Sequence, residues 1–255
     1  MHVERFLRRS GLIDWDGDLL ARSRLDPELC RTLHVAALLE QDTEITVRQT
    51  RALGLDRVDD VAAFLPVWEA EEAEHARALR WLLSHQHYRP PQPHPAAISR
   101  RRRLVARVPA STVGRLSPTA LVYCALGAAA EYVTILTYTE LVREVDDPAV
   151  DALLRAITRQ EGRHFAFFLA AARSRAHAIS PTSGRLARRA LVALWEPVGV
   201  PSLGIDAWTA QFGRLLDDAR FRARIEGMDR VVDSIPHLGG LRLMETFLRA
   251  RVPTR

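Results

Sequence analysis

The chain has 255 residues, 47% of them hydrophobic and 26% charged, enough for one large domain with a substantial core; its two cysteines, Cys30 and Cys124, lie outside any CxxC pattern, which excludes a disulfide framework and fits a reducing compartment. The formal net charge is +5 and every one of the 36 basic residues is an arginine, a balance that suits an acidic partner, while their scatter and the lack of interleaved aromatics argue against nucleic acid. The opening MHVERFLRRSGLIDWDGDLL has no signal-peptide apolar core, and no uncharged apolar run is long enough to span a membrane, so a cytoplasmic protein without a membrane span is expected.

Residues 1–25 read as an irregular arm with at most a short helix. Asp26-Pro27-Glu28 is the first firm helix start, an N-cap followed by Pro at the first helical position and an acid in the first turn. The helix it opens is predicted to run to about Leu53, where Gly54 stops it. A second long helix lies within about 58–86, with Pro66 either kinking it or marking its effective start. The stretch from His87 to Pro95, with Pro90, Pro91, Pro93 and Pro95, reads as an exposed connection, and the run Arg100-Arg101-Arg102-Arg103 follows it. Ser117-Pro118 begins a third helix that runs to about Val145, and Asp147 caps a fourth from Pro148 to about Ala178. Connections this short imply antiparallel neighbours. Beyond Ser180 helices are expected at about 183–195, 206–232 and 239–251, packed around the others. No segment shows sustained strand alternation, so the fold is predicted to be all-α, one domain over residues 1–255 with its core at about 27–178.

Inside this frame the second helix carries an anomaly. Leu65, Trp68, Glu72, His75, Leu79 and Leu82 share one face, so a Glu-x-x-His pair interrupts an apolar seam. The fourth helix repeats it, with Leu154, Ile157, Glu161, His164, Phe168 and Ala171. Alone, either pair is more economically a solvated face or a hydrogen-bonded core histidine. Two further carboxylates alter that balance. Glu131 lies among Cys124, Gly127, Thr134 and Tyr138 on the third helix, and Glu40 follows Leu33 and Ala36 on the first. One Glu from each of two helices plus a Glu-x-x-His from each of the other two is the ligand set of ferritin-like di-iron bundles. Here it occurs in the order Glu40, Glu72/His75, Glu131, Glu161/His164, which looks like an internal duplication. Glu44, one turn after Glu40, is a second candidate on the first helix; Glu40 is preferred because the stripe of Glu44 leads to Arg51.

At these residues the chain resembles the soluble acyl-acyl carrier protein desaturases. That family's second-helix signature W-x-A-E-E-x-x-H is matched by Trp68, Ala70, Glu71, Glu72 and His75, and its D-E-x-R-H pattern corresponds to Gln160-Glu161-Gly162-Arg163-His164. The family also carries a Thr three residues after its third-helix ligand, here Thr134 after Glu131. The resemblance spans about Glu40 to His164. It implies a ferritin-like four-helix bundle with two irons, Glu72 and Glu161 bridging, Glu40 and Glu131 terminal, and His75 and His164 completing each iron. It also implies a carrier-bound acyl substrate, a ferredoxin-type electron donor and a homodimer. Two departures stand out: the family's Asp, linked to electron routing, is Gln160, and the chain is shorter than the plant enzymes.

Four carboxylates and two neutral imidazoles suit two ferrous ions better than zinc. Thr134 is read either as a proton relay beside the oxygen site or as a helix Thr bonded to its own backbone. Gly127, Ala128, Ala129 and Ala130 either line a narrow slot for an acyl chain or allow close helix packing. Arg100–Arg103, with Arg185, Arg188 and Arg189 as a second edge, either receive an acidic acyl carrier protein or form a solvated face. Three functions fit: an acyl-carrier desaturase, an oxygenase or N-oxygenase on another metabolite using the same centre, and a ferroxidase or iron-binding protein.

Overall fold

In the computed structural model, residues 3–8, 10–89 and 118–251 are described, and every regular element among them is helical. Two short helices, α1 (Glu4–Leu7) and α2 (Gly17–Arg22), flank the N-terminal arm. Asp26 accepts from the N–H groups of Glu28 and Leu29 and so caps α3 (Pro27–Gln41), with Pro27 at the first helical position.

The single helix expected from here to Leu53 is instead two. The chain breaks at Asp42 and resumes as α4 (Thr43–Ala52), ending before Gly54 in the left-handed region. Short polar side chains cause the break: the Asp42 carboxylate accepts from Ser202, and the Thr43 hydroxyl donates to Glu72 at 3.3 Å. After a 3-10 turn (Leu55–Arg57), α5 (Asp59–Ser84) runs unbroken through Pro66.

Helix α6 (Thr119–Glu144) and helix α7 (Pro148–Ala178) are joined by three residues and lie against each other; Asp147 caps α7 by accepting from Ala149 and Val150. Ser117, expected to cap α6, lies outside the described residues, as do Pro90–Pro95 and Arg100–Arg103. Helix α6 is long and apolar enough to cross a membrane, yet it carries the buried Glu131 and packs on α7 and on C-terminal helices.

The C-terminal region is more divided than its sequence pattern predicts. Helix α8 (Pro181–Leu194) is followed by α9 (Val200–Leu203), and the segment expected as one helix over 206–232 is α10 (Ile205–Asp217), α11 (Ala219–Ile225) and α12 (Gly227–Asp233). Asp218 takes extended backbone and accepts from Arg220, so it stops one helix and caps the next. The last helix, α13, covers Leu243–Arg251 and not 239–251, because His237, Gly240 and Arg242 all have positive φ. Its first N–H groups, on Met244 and Glu245, donate to the buried Asp229.

The core forms two apolar clusters. One gathers Phe64, Trp68, Val133, Phe167 and Phe168 with the C-terminal helices. The other gathers Leu33, Ala37, Leu79, Tyr138 and Ile157. On α5 the change from the first cluster to the second falls between Trp68 and Ala78, and on α7 between Phe167 and Ile157. The two Glu-x-x-His pairs occupy those intervals.

Candidate metal centre

Four helices each deliver carboxylates to this polar layer: Glu40 from α3, Glu72 from α5, Glu131 from α6 and Glu161 from α7, with His75 and His164 one turn beyond the α5 and α7 carboxylates. All six are buried; His75, Glu161 and His164 have no exposure at all. Such groups are costly to bury unless something satisfies them. They form two overlapping sets, Glu40, Glu72, His75 and Glu161, and Glu72, Glu131, Glu161 and His164, each with one ligand atom per residue within 4.8 Å of the others. Glu72 and Glu161 belong to both.

The atoms are aimed accordingly. His75 turns Nδ1 inward, 3.1 Å from Glu161 Oε1 and 3.5 Å from Glu40 Oε2. His164 turns its own Nδ1 inward, 3.0 Å from Glu72 Oε1 and 3.1 Å from Glu161 Oε2. Glu161 thus offers one oxygen to each histidine. Yet Glu72 Oε1, His75 Nδ1 and Glu161 Oε1 are buried with no hydrogen-bond partner. Buried polar atoms that crowd together without bonding to one another lack a shared partner, and a cation bound by all of them supplies it. On this ground the six residues fit a pair of metal ions.

The electrostatics agree. Burial, and then the Glu72 and Glu161 carboxylates, push the Glu40 carboxyl well above its usual range. Burial and then Glu161 and Glu72 do the same to Glu131. Burial would also raise Glu161, but the His164 and His75 imidazoles beside it overcome this and hold the carboxyl below the usual range. Burial would lower both imidazoles; Glu161 and Glu40 outweigh it at His75, and Glu161 and Glu71 at His164, so both stand well above the ordinary histidine value. Without metal the cluster therefore retains protons, which two divalent ions would displace.

The motif residues that do not face the centre lock the two pairs together. His164 Nε2 lies 2.8 Å from Glu71 Oε2, and Arg163 pairs with the same carboxylate. His75 Nε2 lies 2.7 Å from Gln160 Oε1. The residue before each shared carboxylate thus braces the histidine of the opposite helix.

Among the other sequence candidates, Glu44 stands at the surface and pairs with Arg48 at 2.8 Å. Thr134 is half-buried and outside both ligand sets; its hydroxyl does not bond to the carbonyl four residues back, as those of Thr137 and Thr139 do. Tyr138, one turn further along α6, is the residue that touches a ligand: it is buried and donates to Glu40 Oε1. Its seven-residue spacing from Glu131 was the available signal. A Cβ on Gly127 would come within 2.6 Å of the Phe168 ring, so close packing accounts for that small residue. Arg188 is tied to the Gly239 carbonyl, and Arg185 donates to Thr182. Cavities of about 440 and 420 Å³ border the N-terminal arm, the first lined by Leu12, Trp15, Glu74, Arg77 and Trp81 among others. Comparison of the chain with protein-family models, with curated proteins and with solved structures gave no match.

Proposed function

We propose that the chain is an O2-dependent di-iron oxidoreductase built on a ferritin-like bundle, and that it oxidises an acyl chain presented on an acyl carrier protein. The observation that carries the first half is the pair of overlapping ligand sets sharing Glu72 and Glu161. The carrier-bound substrate rests on the desaturase-like motifs at Trp68–His75 and Gln160–His164 and on the excess of arginine.

Two irons held there would supply O2 activation and the oxidising power to break an unactivated C–H bond. The protein's own contribution is positional. Glu40 and His75 would hold one iron, Glu131 and His164 the other, and Glu72 and Glu161 would bind both. Trp68, Phe64, Phe167 and Phe168 close the side toward the C-terminal helices and exclude water there. Thr43 and Tyr138 each donate to a ligand carboxylate, to Glu72 and Glu40 respectively, and so fix which oxygens remain for metal.

A second reading is favoured by Phe168: its ring fills the space beside Gly127, which suits a small metabolite over a long acyl chain on that flank. One experiment tests the acyl reading. Protein loaded anaerobically with two equivalents of Fe2+ is mixed with O2, reductant and either stearoyl-type acyl carrier protein, the free acid, or no substrate. Faster O2 uptake with unsaturated product only on the carrier-bound chain supports the acyl reading. Uptake equal in all three samples, with ferric iron as the sole product, replaces it with a ferroxidase.

A further inference from the structure

Gly11, in the arm between α1 and α2, touches both braces of the centre at once. Its N–H donates to Glu71 Oε1 at 3.0 Å, and its carbonyl accepts from Gln160 Nε2 at 2.5 Å. Glu71 and Gln160 in turn hold His164 and His75. The backbone of one residue therefore joins the outer partners of both histidines.

We propose that this clasp makes the two halves of the centre unequal, so that the half held by Glu131 and His164 takes a divalent metal first and more tightly than the half held by Glu40 and His75. The inference rests on the metal-centre reading above and is independent of the substrate.

The argument begins with what each group can do. The Gly11 carbonyl can only accept, so the Gln160 amide must turn its NH2 toward Gly11 and its oxygen toward His75. In the neutral imidazole that binds metal, that oxygen accepts from the Nε2–H of His75 and leaves the Nδ1 lone pair directed at the centre. Had the amide faced the other way, the proton would sit on Nδ1 and block metal. On the other side the Gly11 N–H, with Arg163, balances the buried Glu71 carboxylate, which accepts from His164 Nε2. Both imidazoles are thus presented in the same tautomer, but one is braced by an ionised carboxylate and the other by a neutral amide. A carboxylate draws harder on the Nε2–H and makes Nδ1 the stronger donor to metal. One ligand carboxylate points the same way. Glu40, on the His75 side, gives part of its donor capacity to the Tyr138 hydroxyl. Gly11, Glu71 and Gln160 are positioning residues in this account.

The test is anaerobic titration of the full-length protein with Co2+, followed by its visible absorption and by calorimetry. Two steps separated by about 10-fold or more in Kd are expected, the scale of outer-partner effects. His164→Ala should remove the tight step and His75→Ala the weak one. Glu71→Gln should weaken the tight step, and Gln160→Glu should strengthen the weak one. The double exchange Glu71→Gln with Gln160→Glu should reverse the filling order; it keeps the side-chain volumes, and the donation from position 160 to the Gly11 carbonyl is lost with it. Two equal steps in the wild type, or an order that the double exchange leaves unchanged, overturns the inference while the metal centre stands. Absence of Co2+ binding overturns both, and an ordered, reversible pair of steps supports the inference whichever way the O2-uptake experiment turns out.

Discussion

Glu161 is the residue on which the centre turns, because its two oxygens face the two histidines and no other side chain in the cluster faces both at about 3.1 Å. Replacing it with Ala should lose both metal ions together, read as metal per chain after desalting. Glu44→Ala should lose none, since that carboxylate pairs with Arg48 at the surface. Retention of one ion in Glu161→Ala would show that the halves do not share this ligand. A second residue-scale expectation concerns the thiols. Cys30 and Cys124 are both buried and free, and burial pushes the Cys124 thiol up to about 12. Thiolate is the reactive form, so at pH 8 a disulfide reagent should leave Cys124 untouched in the folded protein and label it promptly in denaturant. Rapid native labelling would mean that α6 opens far more readily than its packing implies.

Among the helices, two of those that carry the Glu/His cluster, α5 and α7, were the most legible. Pro148–Ala178 is found where Asp147-Pro148 and the apolar periodicity place it, because cap, first-turn proline and seam all lie within the segment itself. The failures share a cause. The break at Asp42 and the division at Asp218 arise from short acidic side chains engaging nearby groups, and the Asp42 partner is Ser202, which is distant in sequence. Helix α13 is the clearest instance, since its first N–H groups are capped by Asp229 on another helix. Asp229→Ala should leave two backbone N–H groups without their buried acceptor and cost about 1–3 kcal/mol in urea unfolding. Asp229→Asn, which keeps one acceptor oxygen, should recover part of that. Equal stability of Asp229→Ala and wild type would show that water or backbone replaces the carboxylate without penalty.

At the scale of the whole molecule, the six residues of the buried Glu/His cluster, which could hold metal, were singled out in the sequence because ionisable residues on apolar seams announce themselves. The Gly11 clasp could not, because a backbone group carries no side-chain signature, and Gln160 registered only as a departure from a motif until its amide was seen between Gly11 and His75. The cluster also sets how the molecule responds to pH. Glu40, Glu131, His75 and His164 all hold protons more tightly in the metal-free fold than the ordinary carboxyl and histidine values of about 4.3 and 6.5 that apply when unfolded. A group raised by folding contributes stability that is complete below its unfolded value and is lost as pH rises through its folded one. Glu161 is lowered and acts in the opposite sense, but only on acidification; between about pH 5 and 8 it is ionised both folded and unfolded and adds no slope. Metal-free protein should therefore lose stability as pH rises across that window. With two divalent ions bound, the ligands are already deprotonated in the fold, and the unfolded chain is the form that takes up protons, chiefly on histidine near pH 6.5. Stability of the loaded protein should then rise with pH over the same interval. The measurement is urea unfolding at pH 5.5, 7.0 and 8.0 with excess Co2+ and with chelator. Opposite slopes are expected, and parallel slopes would mean that the buried carboxylates and imidazoles do not exchange protons for metal.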